Sequence, residues 1–401
     1  MLSSQIEYLI QGSITMKADV NKLSFKLAIL SISLFCASGF SISAAIPNIK
    51  TGLGNVSLTN IEVLVSIPTF GLIFGLLLSW LLIKRYGYKN TVITGLIIMT
   101  IFGTFPLINS NYVLILISRF CLGIGIGVFN SLCFSLISEY YTDQLRAKMI
   151  GLQSATQALG STILTLLVGI LIPCGWHYVF LIYLLNIFPL ILFAKYVPDD
   201  RVTNRSQRYF SSLKNAKIFI IAVFACIYFI TELTITYKCS SFIVSRGIGS
   251  SSQAAIILAL NTMIGFVSGI LFSRAFKWLG NYIVSISLLS LGILFCLVNI
   301  VNSLYLVGLI VLLCGFFASW VSSYLYNSIA GIGDYQTQPL INTVLIIGVN
   351  IGCFMNPYLN DLIGNLLGTN NAGTLICFSG IILLICSVMV TVFMLIKKVN
   401  R

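Results

Sequence analysis

The chain has very little charge and a single histidine. Only 8% of its 401 residues are charged and 58% are hydrophobic, whereas soluble globular domains are about 25% charged. His177 alone cannot form a multi-histidine metal site, and the eleven cysteines lack metal-ligand spacing because most lie inside apolar runs. No phosphate-binding loop of the G-x-x-x-x-G-K type is present. We therefore expect no metal, no cofactor and an energy source other than ATP.

Two further classes of protein are disfavoured by the scarcity of polar residues. An integral-membrane enzyme needs paired carboxylates, a nucleophile with its base, or metal ligands, and no such set is visible. A net charge of +13 would suit a nucleic-acid partner, but there is no solvated basic domain to hold a strand. We expect neither an enzyme nor a nucleic-acid-binding protein.

Long apolar runs dominate what is present. Twelve of them reach or approach the about 20 residues that cross a bilayer. Because backbone polar groups in lipid must be paired within their own segment, we expect helices. The predicted fold class is an all-α membrane protein with twelve transmembrane helices, here called spans 1 to 12, at 26–48, 61–83, 91–109, 112–138, 149–173, 176–197, 217–237, 254–275, 282–300, 304–326, 339–360 and 373–396.

The second half of the chain repeats a pattern of the first. Gly71, Gly75 and Ser79 recur as Gly265, Gly269 and Ser273, each 194 residues later. Such an internal repeat in an apolar chain is typical of membrane transporters built from two halves. The predicted organisation begins with a cytoplasmic N-terminal segment (1–25) and a six-helix bundle (26–197). A cytoplasmic linker (198–216), a second six-helix bundle (217–396) and a cytoplasmic tail (397–401) follow.

The basic residues predict the orientation. Nineteen of the 23 lysines and arginines fall in the termini and in the loops that share their side. The other side holds Lys50, Lys238 and Arg246, and Arg119 lies inside span 4. Cytoplasmic loops are enriched in lysine and arginine, so both termini should be cytoplasmic in a multi-pass protein of the cell membrane.

The loop after span 2, KRYGYKN from Lys84, is similar to the G-x-x-x-D-R-x-G-R-R signature of the major facilitator superfamily. Its repeat after span 8 keeps Lys277 and Gly280. The resemblance covers essentially the whole chain and implies two pseudo-symmetric six-helix bundles. It also implies that Lys84, Arg85 and Gly87 help to latch the halves, although Lys84 stands where the family has aspartate. The alternative is a plain cationic loop with a glycine turn.

Span 4 carries a second resemblance. SRFCLGIGIGVFNS is similar to the family's R-x-x-x-G motif and puts Arg119, Gly123, Gly127 and Asn130 on one helical face. The glycines should let a neighbouring helix approach closely. An arginine there needs water or a partner, unless its side chain extends outward to the interface. In span 5, Gly160 and Gly169 are what remains of the exporters' G-x-x-x-G-P-x-x-G-G motif, and Gly160 is also assigned to helix packing.

Glu232 is the acid that lies well inside a span, span 7. Eight of the ten acids, Glu62 among them, are assigned to loops, tails or helix ends in water, and Glu139 to the end of span 4. A carboxyl in a membrane is costly when ionised and tends to bind a proton. The resemblance implies that spans 1, 4, 7 and 10 line a central cavity. We therefore assign proton coupling to Glu232 and Arg119 facing each other, with a hydrated structural carboxyl as the alternative.

Further candidates complete the predicted substrate cavity. Asn130, Tyr228, Trp320 and Tyr324 lie on the spans that would line it, and aromatic rings there could stack on a planar or cationic ligand. Asn327 at the end of span 10 and Asn342 and Asn350 on span 11 are additional candidates. The alternative is that the aromatic residues face lipid or only pack between helices.

The leading functional prediction is a secondary transporter working by alternating access as a proton-coupled antiporter for efflux of drug-like amphiphiles. It rests on the apolar spans, the isolated charges and the resemblance to bacterial twelve-helix multidrug exporters. One alternative is uptake or exchange of a polar metabolite, a sugar or an organic anion; another is a nontransporting membrane sensor. The expected partners are a small-molecule substrate, protons and the lipid bilayer, with the protein a monomer.

Overall fold

A computed structural model describes residues 22–198, 216–330, 332 and 338–399. Regular structure in these residues is entirely helical and falls into two runs. Most of the predicted N-terminal segment 1–25 and linker 198–216, and the end of the tail 397–401, lie outside the described residues.

The first half contains six α-helices and several 3₁₀ segments. Its α-helices are α1 Leu23–Ser31, α2 Ile46–Leu53, α3 Leu58–Thr104, α4 Tyr112–Tyr140, α5 Asp143–Leu171 and α6 Ile187–Tyr196. The 3₁₀ segments are Ile32–Phe35, Ser38–Ala45, Phe105–Leu107, Ile172–Cys174 and Trp176–Asn186.

The second half contains seven α-helices. They are α7 Ala216–Glu232, α8 Thr234–Ser245, α9 Ser251–Leu279, α10 Tyr282–Val298, α11 Leu304–Ala330, α12 Gln338–Leu367 and α13 Ala372–Val399.

Nine helices of the described residues are long and apolar enough to cross a membrane. The number is ten if Leu23–Phe35 and Ser38–Leu53, which meet at a bend of 43°, form one broken span. The chain is therefore a multi-pass membrane protein, but length and composition alone do not confirm twelve spans. Predicted spans 2 and 3 run together as α3, which is interrupted by a non-helical Gly87 (φ 79°, ψ 174°).

Short polar residues determine where several helices begin. Ser57 Oγ accepts the Asn60 amide at the start of α3, and Asn111 Oδ1 accepts the amides of Val113 and Leu114 at the start of α4. Ser250 and Gln253 form a reciprocal capping box on α9. Each cap pairs backbone donors that the first turn of a helix leaves free.

The helix ends define two faces of the bundle. The basic face holds the start of α1, the Gly87 break, the α4–α5 connection and the α9–α10 turn at Gly280. The opposite face holds the α2–α3, α8–α9, α10–α11 and α12–α13 connections. Gly87 and Gly280, which the repeat pairs, both have positive φ angles (79° and 54°) that favour glycine.

Glycines bring α3 and α4 into backbone contact within the first half. A Cβ at Gly123 would overlap the Pro68 carbonyl, and one at Gly127 would overlap the Leu72 carbonyl. A Cβ at Gly160 would likewise overlap the Leu34 backbone. Between the halves, α3 packs against α12 and α5 packs against α9. The interface between these two helix pairs positions the candidate site.

Candidate functional site

A cavity of about 230 Å³ lies between the two halves. The first half contributes parts of the broken first helix and of α3, α4 and α5, and the second half contributes α11 and α12. Among the described residues that line it none is charged, and its polar side chains are an alcohol, a phenol and three amides: Thr69, Tyr326, Asn130, Gln157 and Asn350. These groups can hydrogen bond a polar solute, since amides both donate and accept.

The cavity lies toward the basic face. Two of its lining residues, Phe134 on α4 and Tyr326 on α11, are close to the basic-face ends of their helices at Tyr140 and Ala330. Leu72 lies midway along the part of α3 before Gly87. A solute there would be nearer to the basic face than to the opposite one.

Two of the predicted cavity residues, Asn130 and Asn350, line this cavity. The Tyr228 hydroxyl instead donates to the Ala318 carbonyl at 3.3 Å and is buried against α11. Trp320 Nε1 donates to the Ser268 carbonyl at 3.2 Å, which turns its ring toward α9.

Tyr324 is likewise not part of the lining, and its ring lies 6.4 Å from that of Phe276 on α9. Tyr326, two residues further along α11, lines the cavity instead. Since each residue turns a helix by about 100°, Tyr324 and Tyr326 lie about 200° apart around α11, and the assignment of Tyr324 to the substrate cavity stays a prediction.

The opposite-face end of the interface is closed by contacts between the halves. Ser240 Oγ donates to the Ala44 carbonyl at 2.6 Å, and Thr59 Oγ1 donates to Asp361 Oδ1 at 2.7 Å. Deeper in, the rings of Phe70 and Phe354 stack with centroids 4.8 Å apart. The structure thus combines a central cavity with a sealed end on one side.

An ion pair lies within this closed end. Lys238 Nζ on α8 is 2.7 Å from Glu62 Oε1 on α3, with side chains 5% and 0% exposed. The prediction that Glu62 faces water is wrong, since its side chain is buried, and Lys238, expected on the same side of the membrane, is buried with it. The sequence signal for the pair was a base and an acid at similar depth beneath the same face, one in each half.

Arg119 is fully buried and bonded within the first half. Its guanidinium donates to the carbonyls of Leu64 (3.1 Å) and Gly39 (3.1 Å) and to the Tyr183 hydroxyl (2.7 Å). Tyr183 in turn donates to the Ser38 carbonyl at 3.1 Å. Arg119 therefore connects the bent first helix, α3 and the Trp176–Asn186 segment, and these contacts do not include Glu232.

Glu232 ends α7, where span 7 breaks at Leu233 before α8 begins. It is partly exposed, and its carboxyl lies within electrostatic reach of Tyr228, Cys314 and Cys353. The structure leaves Glu232 and Arg119 unpaired with each other in this conformation. Their assigned role in proton coupling stays a prediction.

Buried amides lie beside this break. Asn356 Nδ2 donates to the Ile230 carbonyl and, at 2.9 Å, to Thr234 Oγ1. Asn360 Nδ2 donates to Asn356 Oδ1 at 2.9 Å, and Ser379 lies 3.0 Å from Thr234 Oγ1. This polar cluster connects α7, α8, α12 and α13, and the sequence analysis did not identify it.

The predicted loop residues lie on the basic face. Lys84, Arg85 and Lys277 are exposed. Lys84 Nζ is 5.8 Å from the Trp80 ring, and the Arg85 guanidinium is 5.3 Å from the Tyr86 ring. Their assigned part in a conformational latch also stays a prediction.

A sequence model of the Major Facilitator Superfamily matches residues 28–389. The chain is 24% identical over 187 residues to the cis,cis-muconate transport protein of Acinetobacter baylyi, a match that covers 46% of this chain and 45% of the relative. It is 31% identical over 138 residues to the niacin transporter NiaP of the same organism, covering 34% and 31%. The chain thus matches less than half the length of these relatives.

Two solved structures share the fold. A mutant of the nucleoside transporter NupG superposes with a TM-score of 0.74 at 12% identity, covering 92% of this chain and all of that one. The D-xylose-proton symporter gives 0.70 at 16% identity, covering 92% and 96%. None of these names is that of a multidrug exporter, so the predicted resemblance to such exporters is not supported.

Proposed function

Since the chain belongs to the Major Facilitator Superfamily, we propose that it takes up a small polar metabolite by alternating access of a cavity between its halves. This replaces drug efflux as the leading interpretation and adopts the alternative of metabolite uptake. The membrane-embedded helices and the family support a transporter; the substrate and the direction are the proposal.

The observation that carries the proposal is the chemistry of the cavity. Its amides, phenol and alcohol suit a solute that needs several hydrogen bonds, and a volume of about 230 Å³ is below the about 300–1,000 Å³ of drug-sized pockets. Each polar group that a mismatched apolar ligand left unpaired would cost about 1–3 kcal/mol. A bulky amphiphile therefore fits this site poorly.

The relatives favour the same kind and size of substrate. The named proteins are transporters of muconate and niacin, and the solved structures with this fold are a nucleoside transporter and a xylose-proton symporter. All of these solutes are small and polar. The described residues that line the cavity are uncharged. This favours a neutral solute over a free carboxylate, because a buried anion needs a cation or several donors.

The orientation and number of spans are part of the proposal. With the basic face in the cytoplasm, the cavity lies toward the inside and the closed end faces out. Counting the bent first helix as one span, dividing α3 at Gly87 and including the 17-residue α10 would give twelve. That count supports two six-helix halves, and the monomeric state stays a prediction.

Uptake of radiolabelled solutes into cells or vesicles tests this function. The panel contains sugars, nucleosides and small carboxylic acids, each assayed with an empty-vector control. For a transported solute, Asn130→Ala and Asn350→Ala should raise KM roughly tenfold, since one lost hydrogen bond costs about 1–1.5 kcal/mol. Asn90→Ala, an exposed amide on the basic face, is the matched control and should leave KM unchanged.

Three results would contradict the proposal. One is that no solute of the panel enters above background. The second is that the protein speeds the loss of an amphiphilic dye in a gradient-dependent way. The third is that Asn90→Ala raises KM as much as the two cavity variants do.

We also propose that Glu232 carries the coupling proton. A carboxyl at a helix break inside a membrane protein can bind and release a proton as its surroundings change. Glu232→Gln should abolish accumulation driven by a pH gradient while exchange of labelled for unlabelled solute continues. Accumulation by Glu232→Gln that still follows the pH gradient would assign the proton to another group.

A further inference from the structure

The ion pair between Glu62 and Lys238 joins the two halves at the closed end of the interface. Glu62 belongs to α3 of the first half and Lys238 to α8 of the second, and their atoms Oε1 and Nζ are 2.7 Å apart. Both side chains are almost fully buried. Separation of the halves at this end therefore has to break the bond between them.

The pair is poorly suited to a purely stabilising role. Moving two charges out of water costs free energy that their attraction seldom exceeds unless further hydrogen bonds complete the site. Among the described residues, Glu62 Oε2 has no hydrogen-bond partner, and the Asp361 carboxyl lies close enough to affect Glu62 electrostatically. A buried pair of this kind is better explained by a need to select one arrangement of the halves.

Neighbouring contacts would open together with the pair. Ser240 is two residues after Lys238 on α8 and donates to the Ala44 carbonyl of the first half. Thr59, one turn before Glu62 on α3, donates to Asp361 of the second half. A pocket of about 110 Å³ beside Lys238, lined by both halves, shows where water would first enter.

We propose that Glu62 and Lys238 form the latch that holds the opposite-face gate shut, and that the pair breaks each time the cavity opens to that face. The proposal rests on alternating access as proposed above. Loss of one partner leaves the other charge buried without compensation in the closed state. The closed state is then penalised, and the population moves toward the open one.

Accessibility of a cysteine at position 240 measures the gate without any substrate. Ser240 is fully buried, so Ser240→Cys should react with a membrane-impermeant maleimide only when the gate opens. Exposed Cys174 is replaced by serine, and the same chain with Ser240 intact gives the background. Glu62→Gln and Lys238→Met should each raise the labelling rate from the opposite face at least about tenfold, equivalent to about 1.4 kcal/mol.

The charge swap makes the test specific. Glu62→Lys combined with Lys238→Glu places opposite charges at the same two positions and should return labelling toward the starting rate. Lys50→Ala removes a cation of the same face whose ammonium donates to the Gly54 carbonyl of its own loop, and it should leave labelling unchanged. Size-exclusion profiles in detergent show which variants remain folded.

Single variants that stay folded and label at the starting rate would overturn the latch. Fast labelling in the single variants that the charge swap does not reduce would also overturn it, because packing rather than charge would then be responsible. The labelling assay needs no solute, so its result is independent of the uptake assay. The latch proposal can therefore be contradicted while the uptake proposal holds, and the reverse is also possible.

Discussion

Each half contains an interrupted helix, which bends by 43° between Phe35 and Ser38 in the first half and is interrupted at the single residue Leu233 in the second. The two interruptions are supported by different chemistry. In the first half, Arg119 and Tyr183 donate to the carbonyls of Gly39 and Ser38 beside the bend. In the second half, Asn356 donates to the carbonyl of Ile230 beside the break at Leu233. One half uses a buried cation and the other uses neutral amides for the same task.

The difference shows that each half is internally connected by its own polar groups. Unpaired backbone carbonyls in lipid cost several kcal/mol, so each set of donors holds its broken helix to its neighbours. The contacts between the halves include an ion pair, single hydrogen bonds and stacked rings. Under the proposed alternating access, the halves are the units that move and the interface between them is where the structure changes.

The glycines at repeated positions also differ between the two halves, in how closely a neighbouring helix approaches them. A Cβ at Gly71 or Gly75 of α3 would overlap backbone carbonyls of α4. At the repeated positions, a Cβ at Gly265 would lie 3.3 Å from the Gly315 carbonyl and one at Gly269 would lie 3.1 Å from Ser319 Oγ. The α9–α11 contact is looser than the α3–α4 contact although the sequence pattern is shared.

Replacing Arg119 should have the largest effect. Arg119→Leu leaves two backbone carbonyls and the Tyr183 hydroxyl without a donor, at about 1–3 kcal/mol for each unpaired group. We expect a total loss on the order of 3–5 kcal/mol, seen as a large fall in Tm and in monodisperse protein. Arg119→Lys should rescue only part of this, because an ammonium cannot reproduce the planar fork.

An Arg119→Leu protein that melts like the unmodified chain would contradict this account of the first half.

The glycine contrast provides a matched pair of variants. Gly71→Ala, at the position that the repeat pairs with Gly265, should cost about 1–3 kcal/mol, because its methyl group would overlap the Phe120 carbonyl of α4, which cannot move aside as a side chain would. Gly265→Ala should change stability by less than about 0.5 kcal/mol. Thermal melts of the two purified variants check the difference, and equal losses would show that the two halves pack alike.

The amide cluster of the second half should give a smaller effect. Asn356→Ala removes donors to Ile230 and Thr234 but leaves no charge uncompensated, so we expect a loss of about 1–2 kcal/mol. Exposed Asn90→Ala is the control and should leave Tm unchanged. A larger fall in Tm for Asn356→Ala than for Arg119→Leu would contradict the expectation that the buried cation contributes more to stability than the neutral amides do.

Much of the fold follows from patterns that are local in sequence. The apolar runs predicted most of the membrane helices, and the paired glycines predicted equivalent positions in the two halves. The 3₁₀ segments Ser38–Ala45 and Trp176–Asn186 were not predicted. Their residues are as apolar as those of a regular helix, and periodicity does not distinguish the two forms.

The site was harder to predict because its geometry depends on tertiary contacts. Arg119 was recognised as needing a partner, but its partners are mostly backbone carbonyls, which leave no sequence signal. Glu62 and Lys238 lie near helix ends, where charged residues usually meet water, and only the packing of the halves buries them. Tyr324 and Tyr326 lie on different sides of α11, and the predicted span boundaries do not determine which side of that helix faces the cavity.

The central claim is that two internally rigid halves move against each other around the cavity. Distances between spin labels on cysteines test it most directly, with Thr51 and Asn370 on the opposite face, Lys84 and Lys277 on the basic face, and Cys174 replaced by serine; all four label sites are exposed. Combining each pair with Glu62→Gln should lengthen the opposite-face distance and shorten the basic-face distance. Distances that both stay unchanged, or that change in the same direction, would contradict alternating access in this protein.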